Sequence, residues 1–80
     1  MITAIYDECV KYRLVEEYGP GWFCTCEDGR LLAKRGFTTS EDAVNWFLSL
    51  GAHAEVIAPA KFRERMKAEV EKIYNKYKET

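Results

Sequence analysis

Between Gly51 and Pro59 the sequence leaves the backbone little freedom. A helical run, Trp46-Phe47-Leu48-Ser49-Leu50, ends on Gly51. The short stretch Glu55-Val56-Ile57-Ala58 is rich in β-branched residues, and Pro59 then opens a second helical run. Glycine accommodates the backbone at a helix C-terminus, and proline loses nothing at a first helical position, where its missing N–H would have no partner. The last third of the chain is therefore predicted as helix, strand, helix. Its final helix carries Phe62, Met66, Val70, Ile73 and Tyr77 at spacings of 4, 4, 3 and 4, which is a single apolar stripe.

The preceding elements follow from the same punctuation. Met1–Tyr6 alternates weakly and reads as a first strand. Asp7 is placed to cap a helix, with Glu8 in its first turn. Val10, Leu14 and Tyr18 recur at helical spacing, with Val15 beside them, and Gly19-Pro20-Gly21 ends the run. Trp22–Glu27 and Arg30–Phe37 flank Asp28-Gly29, the signal for a two-residue type I′ hairpin. That turn would set Cys26 against Leu31 and Cys24 against Ala33. One face would then hold Trp22, Cys24, Cys26, Leu31 and Ala33 as core, and the other Phe23, Thr25, Glu27, Arg30, Leu32 and Lys34 as a mixed surface. Thr38 and Glu41 fit a capping box ahead of a helix burying Ala43, Val44, Phe47 and Leu48, with Leu50 beside them.

The predicted fold is α+β, a ferredoxin-like β-α-β-β-α-β sandwich with an additional C-terminal helix, in a single domain over residues 1–80. Both crossover helices lie on one side of the sheet, so the opposite side stays open unless something covers it.

Charge is unevenly spread. Residues 1–60 hold five Lys/Arg against nine Asp/Glu, net −4, whereas residues 61–80 hold seven against four, net +3. An acidic body with a basic last helix suggests either a solvated helix face or a surface for nucleic acid or a partner. Asp7 and Glu8 interrupt any signal-peptide run, and no stretch approaches the roughly 20 apolar residues of a membrane span. A cytoplasmic protein with reduced thiols is expected, with no membrane partner.

No catalytic constellation is readable, so no enzyme is expected. Cys24-x-Cys26 puts two thiols on one strand face, but zinc sites favour four ligands and a knuckle such as C-x-x-C. Packing of Cys24 and Cys26 as small apolar groups is the preferred reading, and neither a metal nor a cofactor is expected. His53, the sole histidine, falls in a helix–strand turn, and no Ser/His/Asp or Cys/His triad can be argued without a further positioned partner. The adjacent carboxylates Glu16-Glu17, Glu27-Asp28 and Glu41-Asp42 point apart, and there is no glycine-rich phosphate loop. Phe23, Arg30 and Lys34 invite comparison with a base-stacking sheet, but the run Arg30–Phe37 lacks the aromatic spacing of an RNA-recognition strand. They are expected to form a sheet-face interaction surface covered by another domain.

The run Trp46-Phe47-Leu48-Ser49-Leu50-Gly51, then Val56, Pro59, Phe62-Arg63 and Tyr77, resembles the WCX domain, the C-terminal extension of WYL-domain bacterial transcription regulators. In that family a "G-x-x-x-x-V-x-x-P" strand precedes "L-R" at the start of a long helix. Gly51, Val56, Pro59, Phe62 and Arg63 take those places, with Phe62 where leucine is usual. The resemblance implies an excised regulatory domain, used for effector sensing and dimerisation. Implied partners are the WYL domain of the same parent chain, a second copy in a homodimer, and a single-stranded nucleic acid or other anionic effector. Arg63, Arg65 and Lys67 are then candidates for effector or interdomain contact. Two rival expectations stand beside this one: a ferredoxin-like interaction module without nucleic-acid contact, and a small-molecule sensor of the same fold.

Overall fold

The computed structural model describes residues 1–78; Glu79, counted in the charge of the last segment, lies outside them. The elements are β1 (Ile2–Tyr6), α1 (Lys11–Tyr18), β2 (Cys24–Thr25), β3 (Leu31–Arg35), α2 (Ser40–Leu50), β4 (Ala54–Ala58) and α3 (Ala60–Tyr77). Single 3₁₀ turns at Glu8–Val10 and Gly51–His53 lead into α1 and β4. The sheet order is β2-β3-β1-β4, with every adjacent pair antiparallel. That is the ferredoxin-like plan expected from the element order, with α3 added.

Alternation along the strands sorts the two faces. Ala4 and Tyr6 on β1, Leu31 and Ala33 on β3, and Val56 on β4 are buried beneath the helices. They meet Val10 and Leu14 from the α1 side, Ala43, Val44, Phe47 and Leu50 from α2, and Phe62 from α3. The other face presents Thr3, Ile5, Leu32, Lys34, Glu55 and Ile57, and no helix packs across it among the described residues. Ile57 stands there by alternation with buried Val56, at the point where the β1–β4 register shifts so that Ala4 pairs with Val56 and Thr3 with Ala58.

Several local expectations are corrected. The hairpin does not use a two-residue turn: Cys24 pairs with Leu32 and Thr25 with Leu31, one residue out of the expected register. The Cys26 N–H donates to the Arg30 carbonyl and the Gly29 N–H to the Cys26 carbonyl, closing a three-residue loop. Gly29 sits at φ +89, the positive-φ position that follows such a turn. The Asp28 carboxylate takes the Arg30 N–H at 3.1 Å, which rewards the longer loop. A one-residue slip inverts a strand, so Cys24 is exposed and Cys26 only half-buried instead of core. β2 is also far shorter than the run Trp22–Glu27.

Capping shifts as well. Asp7 makes no side-chain cap to the turn that follows it; its carboxylate turns to His53 instead. Thr39, not Thr38, caps α2 by accepting the Asp42 N–H at 3.1 Å. Pro59 is the residue before α3 and not its first member. Gly19 at φ +85 and Gly51 at φ +60 end α1 and α2 as expected.

The apolar stripe of α3 divides. Phe62 is buried and Met66 packs on the core, but Val70 is 53% and Ile73 45% exposed. An 18-residue helix is about 27 Å long, and the molecule measures 42 × 26 × 22 Å. The distal half of α3 therefore runs on past the domain's own core.

Leu14 is fully buried, whereas Leu32 on the open face is 37% exposed. Leu14→Ala should cost about 2–5 kcal/mol and Leu32→Ala less than about 1 kcal/mol, measured as shifts in urea denaturation.

Candidate functional site

Two concave surfaces flank α2. The larger is an apolar groove of about 560 Å³ between α2, β4 and α3, floored by Phe47, Leu48, Val56, Met66, Val70 and Ile73. Its charged lining is Glu55, Arg63 and Lys67. The groove exists because α3 contacts the body along β4 through its first turns and then departs with its stripe uncovered.

The basic residues singled out on α3 separate into three situations. Arg63 donates to Glu55 Oε2 at 2.9 Å and to the Val56 carbonyl at 2.7 Å. It thereby fixes the start of α3 against the outer edge of β4, and its position in the family motif has this local explanation. Arg65 pairs with Glu41 at the head of α2, outside the groove lining, and that hydrogen bond holds its guanidinium above the ordinary value. Lys67 lines the groove and makes no ion pair among the described residues, so it alone of the three keeps its full cationic capacity for another molecule.

The three residues expected on the sheet face do not assemble there. Phe23 packs against the core, edge-on to Trp22 at 5.9 Å, with Lys11 Nζ 5.9 Å from its ring centroid. Arg30 belongs to the hairpin loop and binds Asp28 at 2.8 Å; its N–H and guanidinium hold the Asp28 carboxyl below the usual range. Lys34 alone projects from the open face, opposite Thr3.

The second cavity, about 400 Å³, was not anticipated. Arg35 follows Leu31 and Ala33 on the helix-facing side of β3, so its guanidinium enters a cage of rings instead of solvent. It lies 4.0 Å from the Tyr18 centroid, 4.1 Å from Phe37 and 4.8 Å from Trp46. Cation–π attraction to three rings compensates a buried Nη1 that has no hydrogen-bond partner. Burial lowers the Arg35 pKa from its ordinary value. The parity of β3, with Leu31 and Ala33 inward, was the sequence signal for this inward arginine.

Beneath the cage, Trp46 Nε1–H donates to the Tyr6 hydroxyl at 3.3 Å. Burial pushes the Tyr6 phenol above its usual value, against the opposing pull of Trp46 and of the Arg35 charge. A third cluster, Asp7, Cys9 and His53, forms where the loops after β1 and before β4 meet. His53 lies 44 positions from Cys9 and 46 from Asp7, so no local sequence pattern announces the cluster.

The sequence matches the family described as WCX domain over residues 3–74. No curated protein and no solved structure matches the chain. The chain belongs to the WCX domain family, a regulatory-domain family and not a known enzyme family. Among the described residues no helix is long and apolar enough to cross a membrane.

The folded state holds the Tyr6 proton more tightly than the unfolded chain does. Its contribution to stability is therefore complete below about pH 10 and is lost as pH rises from there through the folded-state value. Denaturation midpoints should fall as pH rises above about 10, and Tyr6→Phe should flatten that fall while losing the Trp46 bond.

Proposed function

We propose that this chain is a regulatory domain of a WYL-type transcription regulator and that it acts by contact, pairing two copies through α3. The observation that carries this reading is the uncovered continuation of the α3 stripe. Val70 and Ile73, with Tyr74 at 65% exposure, extend the apolar floor of the groove beyond the body that supports it. Charge favours a second copy as the occupant. The segment containing α3 carries +3 and the body −4, so α3 of one copy meets complementary charge on the body of the other. Family membership supports a regulatory setting, and the apolar groove supplies what a helix-on-helix contact requires.

Sedimentation equilibrium tests this directly. The chain should self-associate, more weakly as salt rises. Val70→Glu together with Ile73→Glu should weaken association by about 30-fold or more, the scale of losing one hot spot of about 2 kcal/mol. A strict monomer at high concentration, or association indifferent to both substitutions, counts against pairing through α3. A monomer that instead binds an isolated WYL domain assigns the same surface to the neighbouring domain.

A second reading, sensing of an anionic effector, rests on Lys67. It is the cation of the groove left without an internal partner, beside an apolar floor suited to stacking or alkyl groups. Titration with a single-stranded oligonucleotide at several salt concentrations should show affinity falling with salt. Lys67→Ala should lower affinity and reduce the salt slope by about 0.7, the share of one phosphate contact on a single strand. Arg63→Ala is the less informative change, since it also releases Glu55 and the Val56 carbonyl. Binding that ignores both salt and Lys67 removes this reading.

A further inference from the structure

Asp7, Cys9 and His53 are brought together at one end of the sheet although His53 lies 44 positions from Cys9 and 46 from Asp7. The β1–β4 register explains the meeting. Tyr6 faces Ala54, so Asp7 and His53 are the next pair outward, and the Asp7 N–H donates to the His53 carbonyl at 2.8 Å. Cys9 lies on the 3₁₀ turn Glu8–Val10, anchored by the buried Val10 and by the Val10 N–H on the Asp7 carbonyl. The three side chains thus project from backbone that the sheet and core already hold.

Two of them address the same atom. Cys9 Sγ lies 3.3 Å and Asp7 Oδ2 3.2 Å from His53 Nδ1. A ring nitrogen offers either one proton or one lone pair. With a proton it serves the carboxylate; with a lone pair it receives the thiol proton and then faces the carboxylate lone pair to lone pair. A cation accepts a lone pair from each of the three atoms at once.

The distances suit such a cation. For tetrahedral zinc, metal–ligand bonds of about 2.3 Å to sulfur and about 2.0–2.2 Å to nitrogen and oxygen place S···N about 3.6 Å and N···O about 3.4 Å apart. All three donor atoms lie within 4.8 Å of one another, so side-chain adjustments of about an ångström bring them onto one ion. The donor set also selects the ion: thiolate and imidazole favour zinc and its neighbours, while magnesium and calcium prefer oxygen alone.

We propose that Asp7 Oδ2, Cys9 Sγ and His53 Nδ1 form a binding site for Zn²⁺ or a similar borderline divalent cation, with the fourth position open to solvent or to a group from another molecule. The ion staples the connection after β1 to the connection before β4 and so closes the end of the sheet from which the groove-forming α2–β4 segment emerges. All three ligands are at least partly exposed, which gives the ion a direct entry path and lets substitutions be made without opening the core.

Cobalt is the probe. The whole chain titrated with Co²⁺ should develop the thiolate charge-transfer band and the visible bands of a tetrahedral site, and Zn²⁺ should displace both. Cys9→Ser and His53→Asn should each abolish the charge-transfer band or weaken Zn²⁺ binding by more than the roughly 10–100-fold that outer-shell changes cost. Asp7→Asn should weaken it less. The double variant Cys24→Ser, Cys26→Ser should bind as the unaltered chain does, and Zn²⁺ should raise the thermal midpoint of that variant but not of Cys9→Ser. Far-ultraviolet circular dichroism confirms that each variant is folded. Absence of the cobalt bands, or bands that survive Cys9→Ser and vanish with Cys24 and Cys26, overturns the assignment.

Discussion

Every other element takes its place from β1. It pairs with β3 from Ile2 to Tyr6 and with β4 from Thr3 to Tyr6, so its register fixes theirs. Ala4 and Tyr6 are the residues that make this work. Ala4 is fully buried and small enough for the helical layer to close over the sheet, and Tyr6 is buried with its hydroxyl taken by Trp46. Tyr6 and Phe47 face each other at 6.1 Å, and Phe47 in turn touches Phe37 and Phe62 at 5.8 and 6.0 Å. One strand, through one aromatic chain, thus connects the segment between β3 and α2, α2 itself, and α3. Moving β1 by a residue would expose Tyr6 and dissolve that chain.

Much of this was legible because helix boundaries are written in local chemistry. Gly19, Gly51 and Pro59 punctuate where the backbone needs a positive φ or cannot continue a helix, and the element order alone implied the ferredoxin-like plan. The hairpin was less legible for a definite reason. Asp-Gly serves a two-residue turn and also the end of a three-residue loop, and the choice between them rests on the Asp28 carboxylate reaching the Arg30 N–H. That hydrogen bond lies outside any pattern of hydrophobicity, and in the register it accompanies Cys24 is turned out of the core.

The candidate sites divide in the same way. The stripe and the basic character of α3 were plain in the sequence, but not which cation would be consumed internally. Arg63 and Arg65 find Glu55 and Glu41, residues distant in sequence that the fold alone delivers. Lys67 is left over by that pairing and not by any property of its own. The convergence of Asp7, Cys9 and His53 depends on antiparallel contact between the first and last strands, a relation no local window contains. Arg35 sits between these cases, since the parity of β3 placed it inward while its ring partners came from three different segments.

The contact from Arg63 to the Val56 carbonyl has a consequence for how this domain can assemble. An antiparallel sheet grows most easily by adding a strand at an unprotected edge. Here one edge is β2, with only two residues in strand geometry. The other is β4, where a guanidinium occupies a carbonyl that an incoming strand would need and α3 lies alongside. Both routes to strand addition are thereby obstructed. A partner has to approach through a side-chain surface, the open face or the exposed length of α3, where fit depends on side-chain identity and not on the generic hydrogen bonding of any extended peptide. Blunted edges of this kind resist indiscriminate polymerisation and leave any recognition to side chains.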